Sequence, residues 1–160
     1  MLPELPEMLD GYQRALDQGL LESYRKKRWS RRREFTGWLA QENLPDLTLD
    51  QSTAIFRASG GSRAAEFKAN PIEEIRDTLD FLLYDDVKLE GRFDECAAEG
   101  GGFKLMGAGK EFSSYVLCLQ DPSLFAVWNS NSGRVLRRTG ILKASMRTGP
   151  IGIQYLDVLD

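Results

Sequence analysis

The chain has 160 residues, 42% of them hydrophobic, which suits one compact core, and no apolar run approaches the length of a membrane span. There is no histidine, and the two cysteines, Cys96 and Cys118, lack CxxC spacing, so imidazole and thiolate metal sites, histidine-based triads and any cofactor are not expected. The formal net charge is -3, yet seven of the 21 lysines and arginines (Arg25, Lys26, Lys27, Arg28, Arg31, Arg32 and Arg33) fall in one stretch free of acids, which leaves the remainder strongly acidic.

The first twenty residues carry acids instead of a basic-then-apolar signal, so a cytoplasmic chain without a membrane partner is expected. Leu9, Tyr12, Leu16, Leu20 and Leu21, then Phe35, Trp38 and Leu39, recur at three- and four-residue spacing. That spacing predicts helices over 5–18 and 20–42, with Gly19 between them. Asn43-Leu44-Pro45-Asp46 is a stop, Thr48 or Asp50 can cap a short helix to Ala58, and Gly60-Gly61-Ser62 ends it. Asn70-Pro71 followed by Glu73 and Glu74 predicts a helix start, with Asn70 as the capping side chain and a core stripe of Ile72, Ile75, Leu79, Leu82 and Leu83. Another helix over 87–98 ends at Gly100-Gly101-Gly102, and one over 110–120 ends at Asp121-Pro122. Asn131 or Ser132 opens a further helix to about Thr139-Gly140. From Ser145 onward the tail reads as irregular, its Ile151-Ile153-Tyr155 alternation suggesting a lone strand or an arm. The expected fold is one all-α, multi-helix domain spanning 1–160.

The segment Phe103-Lys104-Leu105-Met106-Gly107-Ala108-Gly109-Lys110-Glu111-Phe112 is the most informative stretch. Two glycines flanking one apolar anchor, Ala108, let the backbone turn sharply and come close to a partner. The amides at the start of the next helix then offer a seat for a phosphate oxygen, with Lys104 and Lys110 adding charge on either side. A purely structural helix-helix turn has the same form.

This turn resembles the helix-hairpin-helix motif, which grips the DNA backbone without reading sequence. Downstream, Asp121-Pro122-Ser123-Leu124-Phe125-Ala126-Val127-Trp128-Asn129, followed by a segment from Arg134-Val135 to Gly140, resembles the corresponding part of helix-hairpin-helix DNA glycosylases. The likeness covers about residues 86–140. It implies an aspartate at the place of Asn129, supplying charge to an oxocarbenium-like sugar, and in bifunctional members a lysine at the place of Glu111. Both are missing, so the resemblance implies a DNA-binding module without chemistry of its own. The order Gly-x-Gly, apolar helix, Asp-Pro, Asn-Ser is also similar to the N-terminal helical region of McrB-like restriction ATPases. That likeness implies a restriction or defence setting and an AAA+ motor in the same chain or operon. No GxxxxGK[ST] loop occurs in this chain.

The expected DNA-binding residues are Lys104, Gly107, Ala108, Gly109 and Lys110 at the turn, Arg134, Arg137 and Arg138 on the following helix, and Arg25, Lys26, Arg28 and Arg32 in the basic run. Trp128 and Asn129 form a candidate base pocket, with Trp128 either stacking on a base or packing between helices. The basic run is either an anion-binding face or a solvated helix surface. Asp77, Asp80, Asp85, Asp86, Asp94 and Glu95 lack the spacing of a ligand loop and read as solvated helix surface. Two other functions fit the same residues: a glycosylase using Asp121 or Glu111 as substitute carboxylate, and a protein-interaction domain whose basic run meets an acidic partner.

Overall fold

The apolar stripes fold as helices, and the computed structural model, which describes residues 4–142 and 148–160, has no strand among those residues. In chain order the helices are α1 (Glu4–Asp17), α2 (Glu22–Trp29), α3 (Arg32–Trp38), α4 (Leu49–Ala58), α5 (Ala64–Lys68), α6 (Ile72–Tyr84), α7 (Leu89–Ala97), α8 (Lys110–Gln120), α9 (Ser130–Arg138) and α10 (Ile151–Leu159). A 3-10 turn, Gln41–Asp46, separates α3 from α4 at the stop read around Pro45. Thr48 caps α4 in a capping box with Gln51, as its position predicts.

Helix α8 is the axis of the molecule. Every residue from Phe112 to Leu119 is buried, the pattern of a helix covered on all sides. Helices α3, α6 and α7 pack on it. The stripe Ile75, Leu79, Leu82 and Leu83 supplies α6's contribution, and Phe56 stacks on Phe67 at 4.4 Å beneath Phe112. Each such side chain, removed from water, contributes about 1.5–3 kcal/mol to folding. Ser114 can sit at 0% exposure because its Oγ accepts from the Trp128 amide at 2.8 Å.

Four expectations are corrected. The helix expected over 20–42 is broken at Ser30 and Arg31 into α2 and α3. On one straight helix Trp29 and Phe35 would point about 120° apart. The break lets Trp29 meet Tyr115 at 5.1 Å while Phe35 is buried in the same core. Asn70 does not cap α6: Pro71 occupies the cap position and Asn70 is buried, bonded elsewhere. Helix α9 starts at Ser130, with Asn129 as its cap, slightly earlier than expected.

The fourth correction is the tail. Residues 145–147 lie outside those described, but 151–159 form α10, neither strand nor irregular arm. Ile151, Tyr155, Val158 and Leu159 fall at helical spacing, and all four join the core or its margin. The helix docks on α7. The Gly152 amide donates to Asp94 Oδ1 at 2.7 Å, Tyr155 stacks on Phe93 at 4.3 Å, and the Tyr155 hydroxyl donates to the Ala126 carbonyl at 2.8 Å.

Candidate nucleic-acid interface

Helices α7 and α8 pack together, but residues 98–109 join them, so the link is longer than a tight hairpin turn. Its last turn, Gly107 to Gly109, faces a second glycine turn, Gly60-Gly61-Ser62, at the end of α4. Between them opens a cleft of about 420 Å³, floored by the first turn of α8 and closed at one end by Asn129, Ser130 and Asn131 at the start of α9.

The two glycines of the motif do different things. Gly107 has φ +77°, and a Cβ there would lie 2.9 Å from the Arg63 carbonyl oxygen and 3.0 Å from the Phe67 nitrogen. Its bare side therefore admits helix α5, which corrects the expectation that it faces an external ligand. The turn is also clamped from within. The Met106 amide donates to Asn70 Oδ1 at 3.0 Å, Asn70 Nδ2 donates to the Met106 carbonyl at 3.0 Å, and the Ala108 amide donates to Leu105. Ala108 is the buried anchor, 5% exposed. Gly109 is the opposite case: a Cβ there would meet nothing within 4 Å, and it caps α8 without a side chain. Among the described residues no acceptor meets the amides of Lys110, Glu111 and Phe112, which open the helix at the cleft floor.

Lys110 places its ammonium 4.5 Å from the centre of the Trp128 ring. Burial pulls its pKa below the ordinary lysine value, and the nearby Arg137 charge pulls it further the same way. Arg63 stands on the opposite lip, paired with Glu66 at 2.7 Å. The cleft also holds a carboxylate, Glu111, whose Oε2 lies 3.9 Å from Arg28 Nη2. Arg134, Arg137 and Arg138 are exposed on α9. Lys104 turns away from this cleft, donating to the Leu105 carbonyl beside Glu74 and Asp77.

In the basic run, Arg25, Lys26 and Arg32 are exposed, as a ligand-facing surface requires. Arg28 is not: at 8% exposure it donates from Nη1 to the Ser59 carbonyl and lies over the Tyr24 ring, while its own carbonyl accepts the Tyr115 hydroxyl. Its place in a DNA-binding face is corrected to that of a bolt between α2, α4 and α8.

Trp128 packs between helices. It is 4% exposed, its ring 6.2 Å from Phe93 and 6.0 Å from Tyr155, with the indole nitrogen beneath Gly133 and unpartnered among the described residues. Asn129 spends its side-chain oxygen on the Ser132 amide as the cap of α9. A base pocket at these two residues is therefore corrected to a packed core and a helix cap. The substitute carboxylates, Glu111 and Asp121, sit at opposite ends of α8, about 15 Å apart by helix rise. Asp121 is held below the usual carboxylate range by hydrogen bonds from the Ser123 hydroxyl and amide. Of the acidic positions, Asp94 and Glu95 serve as acceptors for Gly152 and Gly102, and no group of ligating side chains that could hold a metal occurs among the described residues.

Sequence reasoning missed the Gly60-Gly61-Ser62 lip, which reads locally as a helix stop, and the Asn70 clamp, whose partner lies 36 residues away. No family model matches the chain, and neither a characterised protein nor a solved structure does.

Proposed function

We propose that this chain binds DNA non-catalytically, gripping a backbone phosphate in the cleft between the Gly107-to-Gly109 and Gly60-to-Ser62 turns. The observation that carries the reading is the start of α8: three amides without acceptors among the described residues, behind a residue with no side chain, at the floor of an open cleft. The positive end of a helix dipole favours an anion there, and Lys110 adds a formal charge. Exposed Arg25 and Lys26 on α2 and Arg134 and Arg137 on α9 add positive charge that attracts a duplex. Backbone contacts of this kind position DNA without reading its sequence. A neighbouring AAA+ motor is suggested by the sequence resemblance alone.

The test is fluorescence anisotropy with duplexes of unrelated sequence at two or more salt concentrations. Affinity should be similar across sequences and fall steeply with salt, the log-log slope being about 0.9 per neutralised phosphate. Salt-insensitive binding, or none at low salt, overturns the reading.

A further inference from the structure

A second surface lies apart from the phosphate cleft. Helix α1 carries Leu5, Met8, Leu9, Tyr12, Ala15 and Leu16 at helical spacing along one face. On that face Leu9 and Tyr12 are open, at 56% and 57% exposure, while Leu5, Met8, Ala15 and Leu16 are half-buried, and α1 packs extensively on no other helix. A helix of fourteen residues is marginal in water on its own and draws its stability from covering such a stripe. Beside it runs a groove of about 920 Å³, walled by Tyr12 and Leu16 of α1, Tyr24 and Trp29 of α2, and Val135 of α9.

Charge says what fits. Among the described residues, Glu7, Asp10 and Asp17 of α1 take part in no ion pair, and neither do Arg25, Lys26, Lys27, Arg32 and Arg33 of α2 and α3. Arg25 lines the groove itself. The occupant is therefore amphipathic, apolar on one side and acidic on the other; α1 has that character, its polar side carrying Glu7, Asp10 and Asp17 against one cation, Arg14. We propose that a second copy of this chain fills the groove, each α1 seating its Leu9–Tyr12 stripe in the other's groove and bringing its acids to the other's α2 cations. Such an exchange is self-complementary, as a twofold interface requires, and it leaves no open face to recruit further copies.

The test uses the full chain without DNA, which keeps it separate from the binding reading above. Sedimentation velocity and light-scattering mass at about 5–200 µM should show a concentration-dependent dimer. Tyr12→Glu and Val135→Glu alter opposite walls at exposed positions and should each yield a monomer with an unchanged helical circular dichroism spectrum. Arg25→Glu should weaken the dimer at least tenfold. A monomer at every concentration assigns the groove to some other occupant and overturns the proposal. A dimer indifferent to both Tyr12→Glu and Val135→Glu overturns it equally.

Discussion

Asn70 and Met106 exchange two hydrogen bonds across 36 residues of chain, the Asn70 amide donating to the Met106 carbonyl and its oxygen accepting from the Met106 amide, each at 3.0 Å. One buried side chain thus replaces the pairing that a strand or helix would give this turn. A third bond, from Nδ2 to the Phe67 carbonyl at 2.8 Å, ties α5 to the same point. Asn70→Ala removes both bonds to the Met106 main chain, and at about 0.5–1.5 kcal/mol for each bond the loss costs about 1–3 kcal/mol. Urea denaturation should show it. Because the turn is then loose, affinity for duplex DNA should fall as well, even at temperatures where the variant is folded.

The glycines on either side of Ala108 should separate stability from binding. Gly107→Ala places a Cβ against main-chain atoms of α5 at a positive φ, so it should destabilise by about 1–3 kcal/mol. Gly109→Ala enters open space at an extended φ of -154° and should leave the melting temperature nearly unchanged. Its methyl group would project into the open space through which an anion approaches the amides of α8. Anisotropy should therefore report weaker DNA binding for a protein of ordinary stability, and unaltered binding by Gly109→Ala would remove those amides from the contact.

Lys110 predicts opposite pH trends for folding and binding. Its pKa is lowered in the folded chain by burial and by Arg137, so the unfolded chain holds the proton more tightly. Its contribution to stability therefore rises as pH climbs through the lowered folded value towards the ordinary one. The ammonium that would meet a phosphate is lost over the same alkaline window. DNA affinity should fall there, ahead of the decline expected of surface lysines. Lys110→Arg, always protonated, should flatten the binding trend, while Lys110→Gln should reduce the salt slope by about one.

Glu111 works against the anion that the cleft is proposed to hold. Its carboxylate lies on the same helical turn as the open amides and is retained by Arg28 at 3.9 Å. One unit charge about 7 Å from a phosphate in a solvent-lined cleft costs on the order of 0.6 kcal/mol. Glu111→Gln should accordingly tighten DNA binding about threefold, at a stability cost of about 1 kcal/mol for the weakened ion pair. Weaker binding by this variant would mean that Glu111 is a contact residue.

The parts legible in the sequence were those encoded by nearby residues. The α6 stripe, the α4 cap at Thr48 and the stops at Pro45 and Pro122 depend on spacing within one or two turns, and each lies where its pattern predicts. What could not be read depends on distant partners. Nothing local says that Arg28 would reach Ser59, that Asn70 would turn to Met106, or that the bare face of Gly107 would be filled by α5. Helix α5 itself has only Phe67 as a buried anchor, too few apolar residues for a period to show.

The tail was the opposite failure, since its helical spacing was present and a shorter alternation masked it. Ile153 is exposed at 43%, whereas Tyr155 is fully buried, so the pair does not share a face as strand residues two apart would. Gly152 decides how closely α10 approaches α7, because a Cβ there would overlap the Glu90 carbonyl, a main-chain atom that cannot rotate aside. Gly152→Ala should therefore lift the helix, break the bond from its amide to Asp94 and expose Tyr155. The expected loss is about 2–4 kcal/mol, with faster amide exchange over 151–159 than in α8. Asp94→Asn provides the control: it keeps the shape and an acceptor oxygen, so it should cost about 1 kcal/mol and leave α10 docked. Equal stability of Gly152→Ala and the parent chain would mean that α10 does not pack at this distance from α7.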